Sequence, residues 1–133
     1  GIFGCGNVVH VHDLVDFVTE ESRRAGKNAA KFVKRQLTSN TAVIETRAGD
    51  GISYVVPQRV RPANIEDKLE LFMRVKNIYK GVKLVVKSGD RIIKKVRKSH
   101  MAPGEMEHIV LGKSFFKDNN VSEICVSVES EEA

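Results

Sequence analysis

The spacing of apolar residues changes near Thr38, and that change constrains the fold more than any single motif. From Glu20 to Leu37, Ala25, Ala29, Phe32, Val33 and Leu37 recur at three- and four-residue intervals, with Arg23, Arg24, Lys27, Lys31, Lys34 and Arg35 elsewhere. That is the pattern of an amphipathic helix. Thr19 is placed to cap its first amides, Glu20 and Glu21 suit the positive end of the helix dipole, and Lys34 and Arg35 suit the negative end. After Thr38-Ser39-Asn40 the period falls to two, and short apolar runs alternate with turn residues. This is the signature of an antiparallel sandwich or barrel.

Seven strands are expected. The first two, Ala42 to Arg47 and Ile52 to Val56, flank Gly49-Asp50-Gly51 and read as a hairpin. Leu69, Leu71, Met73 and Val75 share one face of the next strand, as do Val82, Leu84 and Val86 of the following one, with Lys83 and Lys87 opposite. A turn at Ser88-Gly89-Asp90 leads to Arg91 to Arg97, and strands at His108 to Leu111 and Glu123 to Val128 complete the set. Seven short strands with regularly spaced turns predict a mainly β chain: an immunoglobulin-like antiparallel β-sandwich over residues 39–133, preceded by a strand-loop-helix over residues 1–38. Phe72, Phe115 and Phe116 are expected in the core or at a domain interface, and His100 to Glu105 as a surface connection.

Composition excludes several classes. No apolar run approaches the roughly 18 residues of a membrane span, and no leader peptide is recognisable, so a cytoplasmic chain is expected. Cys5 and Cys125 are too few and too far apart for a disulfide scaffold or a CxxC pair and are expected as reduced thiols. The net charge of +5 is unevenly spread. Arg74, Lys76, Lys80, Lys83, Lys87, Arg91, Lys94, Lys95, Arg97 and Lys98 face a single acid, Asp90, in the same stretch, whereas the tail holds Glu129, Glu131 and Glu132. The basic run reads either as a solvated sheet face or as a surface for phosphates or an acidic protein. Tyr79 is its only aromatic residue, so stacking platforms for bases are missing and nucleic acid is the less favoured partner.

The N-terminus carries the chemistry. Gly1-Ile2-Phe3-Gly4-Cys5-Gly6-Asn7 reads as an apolar strand closing in glycines, which needs partner strands the chain does not offer. With glycine rather than methionine at position 1, it is expected to be the C-terminal part of a longer protein. This segment, together with Thr19-Glu20-Glu21 and Ala25-Gly26-Lys27-Asn28-Ala29-Ala30, resembles the C-terminal flavin motif of pyridine nucleotide-disulfide oxidoreductase-type flavoproteins, G-[IV]-[FY]-A-x-G-D. Asn7 stands where that motif has aspartate. Gly-Asn-Val-Val-His-Val-His-Asp-Leu-Val-Asp is similar to NAD(FAD)-dependent dehydrogenases that carry an additional C-terminal β-domain. The resemblance implies an FAD-dependent parent oxidising NADH or NADPH, with its dinucleotide fingerprint, nicotinamide domain and any redox cysteines upstream. It implies that Gly6 and Asn7 lie by the ribityl-phosphate of FAD and that the backbone of Thr19, Glu20 and Glu21 approaches the isoalloxazine. It also implies that the β-domain docks the upstream FAD and NAD domains or a partner dehydrogenase subunit. Glycine allows close backbone approach, and helix amides favour an electron-rich reduced flavin.

Other chemistries are weaker in the sequence. Cys5, His10, His12 and Asp13 fall within nine residues and could in principle ligate zinc or ferrous iron, but as a loop lining a flavin pocket they are expected to hold no metal. His12 with Asp13 or Asp16 could relay protons, and Cys5 reads as an inert small hydrophobe. No GxSxG, HExxH or phosphate loop occurs, so no residue of this chain is expected to be catalytic. The alternative reading is a stand-alone basic β-sandwich binding nucleic acid or an acidic protein. A structural role in homo-oligomerisation is a third.

Overall fold

The computed structural model describes residues 1–118 and 120–130, so the predicted acids Glu131 and Glu132 lie outside the described residues. The chain divides into two compact units, Gly1–Thr41 and Ala42–Ala133.

In the first unit, helix α1 spans Val15–Val33, beginning five residues before the expected start and ending four before the expected end. Leu14 is its N-cap and makes no side-chain cap. Thr19 is therefore inside the helix, and its hydroxyl donates to the Val15 carbonyl at 3.0 Å rather than to a free amide. The β-branched Val15 and Val18 hide the first turn from a propensity reading. The helix ends because Arg35 takes a left-handed conformation, φ 55°, with Arg35 N–H donating to Phe32 O at 3.0 Å and Gln36 N–H to Lys31 O at 2.8 Å. This is the double bond pattern of a Schellman cap, closed here without glycine. The expected N-terminal strand is not formed: residues 1–5 join no ladder among the described residues, and Gly6–Val8 is a 3₁₀ turn. A strand without a neighbour has no ladder to stabilise it.

In the second unit the mainly β expectation holds, with two sheets. The strands are β1 (Ile44–Ala48), β2 (Ile52–Val56), β3 (Arg59–Val60), β4 (Lys68–Val75), β5 (Tyr79–Ser88), β6 (Arg91–Met101), β7 (Glu107–Gly112) and β8 (Glu123–Ser130), with a short helix α2 (Lys113–Asp118) between the last two. One sheet has the order β3-β1-β8-β5-β6 and the other β2-β4-β7. Each expected strand is present, joined by the two-residue β3. The Ser88-Gly89-Asp90 turn closes the β5-β6 hairpin, with Gly89 at φ 55°.

The first expected hairpin is not one. β1 pairs with β3 and, in parallel, with β8, whereas β2 pairs with β4 in the other sheet. Gly49-Asp50-Gly51 carries the chain between the sheets and is bonded to both. Gly49 N–H donates to Val126 O and Val128 N–H to Asp50 O, while Lys76 N–H donates to Gly51 O, all at 2.8 Å. Gly51 has φ 77°, and a Cβ there would lie 2.8 Å from Tyr79 Oη and 2.9 Å from the Val128 side chain. The parallel β1-β8 pair likewise departs from the all-antiparallel expectation.

Between the sheets, Leu69, Leu71, Met73 and Val75 of β4 face Val82, Leu84 and Val86 of β5, with Ile52, Ile109, Leu111, Ile124 and Val126 completing the core. The predicted inward faces of β4 and β5 are thus the observed ones. Phe116 packs at the margin of this core. Phe115 meets it edge to face at 5.3 Å. Phe72 is buried but points the other way, stacked on His108 at 4.7 Å. His100 and Met101 belong to β6, and the surface connection begins after them.

The basic run is split by strand pleat. Register sets Lys83 opposite Arg97 and Val85 opposite Lys95 on the outer face of the larger sheet. Lys94 and Lys98 take the other side of the edge strand and reach across to the smaller sheet: Lys94 Nζ donates to Val110 O at 2.8 Å, and Lys98 Nζ pairs with the buried Glu107 at 2.6 Å. Lys87 pairs with Glu129 at 2.5 Å. The hydrogen bond between them raises the Lys87 pKa above 10.5 and lowers that of Glu129 below 4.5.

Three substitutions test this packing. Leu84→Ala is expected to cost about 2–5 kcal/mol, and Gly51→Ala at least about 1–2 kcal/mol from its left-handed φ alone. Gly104→Ala, with nothing within 4 Å of an added Cβ, should stay within about 0.5 kcal/mol of wild type; urea denaturation followed by far-UV circular dichroism ranks the three. For Lys87 and Glu129 the sign follows from linkage. The lowered carboxyl stabilises the fold above about pH 4.5, and this contribution is lost as pH falls through its folded value. The raised ammonium stabilises below about pH 10.5, and this is lost as pH rises through its folded value. The stability difference between wild type and Glu129→Gln should therefore be flat through neutral pH and shrink in acid; a difference that persists at pH 2 would contradict the pairing.

Candidate functional site

The residues of the N-terminal unit converge on one carboxylate. The Gly6–Val8 turn reverses the chain, and only glycine takes its φ of 71° without strain. The turn is followed by His10 and His12, both buried. Their spacing of two in a non-helical segment leaves both imidazoles free to face α1. Glu21, in the second turn of α1, meets them. Its Oε1 lies 3.2 Å from His10 Nε2, and its Oε2 lies 3.1 Å from His12 Nε2. Gly6 N–H donates to the same Oε2 at 2.6 Å.

The two imidazole centroids are 4.1 Å apart, and His12 also lies over Phe17, with centroids 6.1 Å apart. The His10 and His12 side chains are 3% and 0% exposed and that of Glu21 is 18%. A charged carboxylate so enclosed must be met by donors, and here three are supplied by the preceding loop. The cluster fastens the glycine turn to the helix and concentrates three metal-type ligands at one point.

The sequence-predicted site residues separate into two groups. Gly6 and Glu21 are brought together. Asn7 is exposed on the turn beside them. Thr19 and Glu20 lie on the exposed side of α1, where Glu20 pairs with Arg23 at 3.3 Å. The amides of Thr19, Glu20 and Glu21 are inside the helix, so the unbonded amides of its first turn fall near Leu14 to Asp16 instead. Asp13, grouped with His10 and His12 in the sequence, is exposed, and Cys5 is half-buried outside any strand.

The sequence pattern missed Glu21 as the partner of both histidines, because a carboxylate nine and eleven residues away is not an obvious ligand until the loop folds back. The signal was the isolated His-x-His itself. Replacing Glu21 with Ala leaves three donors without their acceptor. It is expected to cost about 1.5–3 kcal/mol, read as a lower melting temperature of α1 by circular dichroism and as faster exchange of the Gly6 amide. No protein-family model matches the chain, and the comparisons found neither a curated protein nor a solved structure similar to it.

Proposed function

We propose that residues 1–38 are the cofactor-contacting strand-loop-helix of an FAD-dependent oxidoreductase of the pyridine nucleotide-disulfide type, and that residues 39–133 are its accessory, immunoglobulin-like β-sandwich. The observation that supports the reading is the turn at Gly6, whose φ of 71° favours glycine and beside which Asn7 is exposed; these are the two positions that the resemblance assigns to the ribityl-phosphate.

Two features of the unit fit this. No residue of α1 is buried, and Ile2, Val8, Val11, Leu14 and Val15 are exposed, as apolar surface meant for other parts of a flavin domain would be. The first turn of α1 offers free amides near Leu14 to Asp16, the kind of group that stabilises a reduced flavin. Bound FAD would supply hydride chemistry with NADH or NADPH as donor. This chain's share is to position it: Gly6 through its lack of a side chain, Asn7 through an amide that both donates and accepts. Glu21 holds the turn against the helix. Thr19 and Glu20 could reach a ligand only through their side chains.

The basic-module alternative gains less support, because Lys87, Lys94 and Lys98 are engaged within the sandwich. The protein purified from its complete reading frame is expected to carry the visible absorption bands of oxidised flavin, bleaching when NADH is added without oxygen. If no flavin co-purifies and added FAD does not bind, the assignment fails.

A further inference from the structure

We propose that His10, His12 and Glu21 form a binding site for a divalent first-row transition metal ion, zinc by the chemistry of its donors. The inference is independent of the flavin reading.

Three properties of the cluster support it. The donor set is two imidazole nitrogens and one carboxylate, a composition suited to zinc or ferrous iron that leaves room for a further ligand. The potential ligand atoms of the three residues all lie within 4.8 Å of one another. The spacing is also right: ligands bound to zinc at about 2.0–2.1 Å in a tetrahedron sit roughly 3.3 Å apart, and here His10 Nε2 and His12 Nε2 are 3.2 and 3.1 Å from the carboxylate oxygens. Binding would exchange the two imidazole–carboxylate hydrogen bonds for metal bonds, with the Nε2 protons released to solvent.

The surroundings favour a cation as well. Burial of both imidazoles removes competing water. The Gly6 amide donates to Glu21 Oε2 and so helps to hold the carboxylate in place, as hydrogen bonds to metal-ligating carboxylates do. Glu21 contributes the negative charge that partly offsets the ion.

The test uses the full chain without a polyhistidine tag. Stripped protein is titrated with Zn²⁺ and Co²⁺, with bound metal measured by elemental analysis after dialysis and cobalt coordination read from its visible spectrum. One equivalent should bind, with the intense visible bands of a low-coordinate cobalt site. His12→Ala and Glu21→Gln should each weaken binding by more than about tenfold, the lower end for loss of even an outer-shell partner, whereas His100→Ala in β6 should not. Circular dichroism of each variant separates loss of the site from loss of α1. Absence of stoichiometric binding, or binding untouched by His12→Ala and Glu21→Gln in folded variants, would overturn the proposal and leave the cluster as a hydrogen-bonded lock between loop and helix.

Discussion

The second unit depends on the exclusion of water from between two sheets of unequal size. Leu71, Met73, Leu84, Val86, Ile124 and Val126 are fully buried there, and their contribution is of the kind that dominates folding: apolar area removed from water and dense packing. Everything at the margins serves to keep those two faces in register. The turn at Gly49 to Gly51 is bonded to both sheets, and the parallel β1-β8 pair anchors the larger sheet at its first and last strands. On the opposite side, β6 and β7 are the edges of their sheets, and Lys94 and Lys98 bridge them. The pair of Lys98 with Glu107 illustrates why such bridges sit at a margin: a carboxylate at the edge can be met by a lysine whose stem crosses apolar surface while its head stays near water.

The N-terminal unit is organised on a different principle. It has little apolar core of its own, since none of the residues of α1 is buried. Its order comes from polar contacts, with one carboxylate receiving a backbone amide and facing two imidazoles. Such a cluster is directional where hydrophobic contact is not, so it fixes the turn at Gly6 relative to the helix despite the small buried area.

How much of this was legible in the sequence depended on whether the determining contacts are local. The inward faces of β4 and β5 followed from alternation, because side chains of a strand must point to opposite sides. The hairpin at Gly89 followed from its turn residues. The turn at Gly49 to Gly51 has equally good turn chemistry, and yet joins strands of different sheets, since glycine permits a reversal but does not choose the partner strand. Helix α1 was recognised from its basic and apolar rows, but it starts at Val15 rather than Glu20, so Thr19, a good cap residue in the sequence, lies inside it and bonds back to the Val15 carbonyl.

The sequence by itself determined the division into a helical and a β part, the faces that become the core, and the residue types gathered near the N-terminus. The tertiary structure decided which strands lie in which sheet, that the basic run is split between an outer face and a bridging edge, and that Glu21 meets the two histidines. The physical reason is the same in each case: periodicity records what each residue must avoid or seek along its own element, whereas pairing between elements is fixed only when distant parts of the chain compete to bury the same surface and satisfy the same donors.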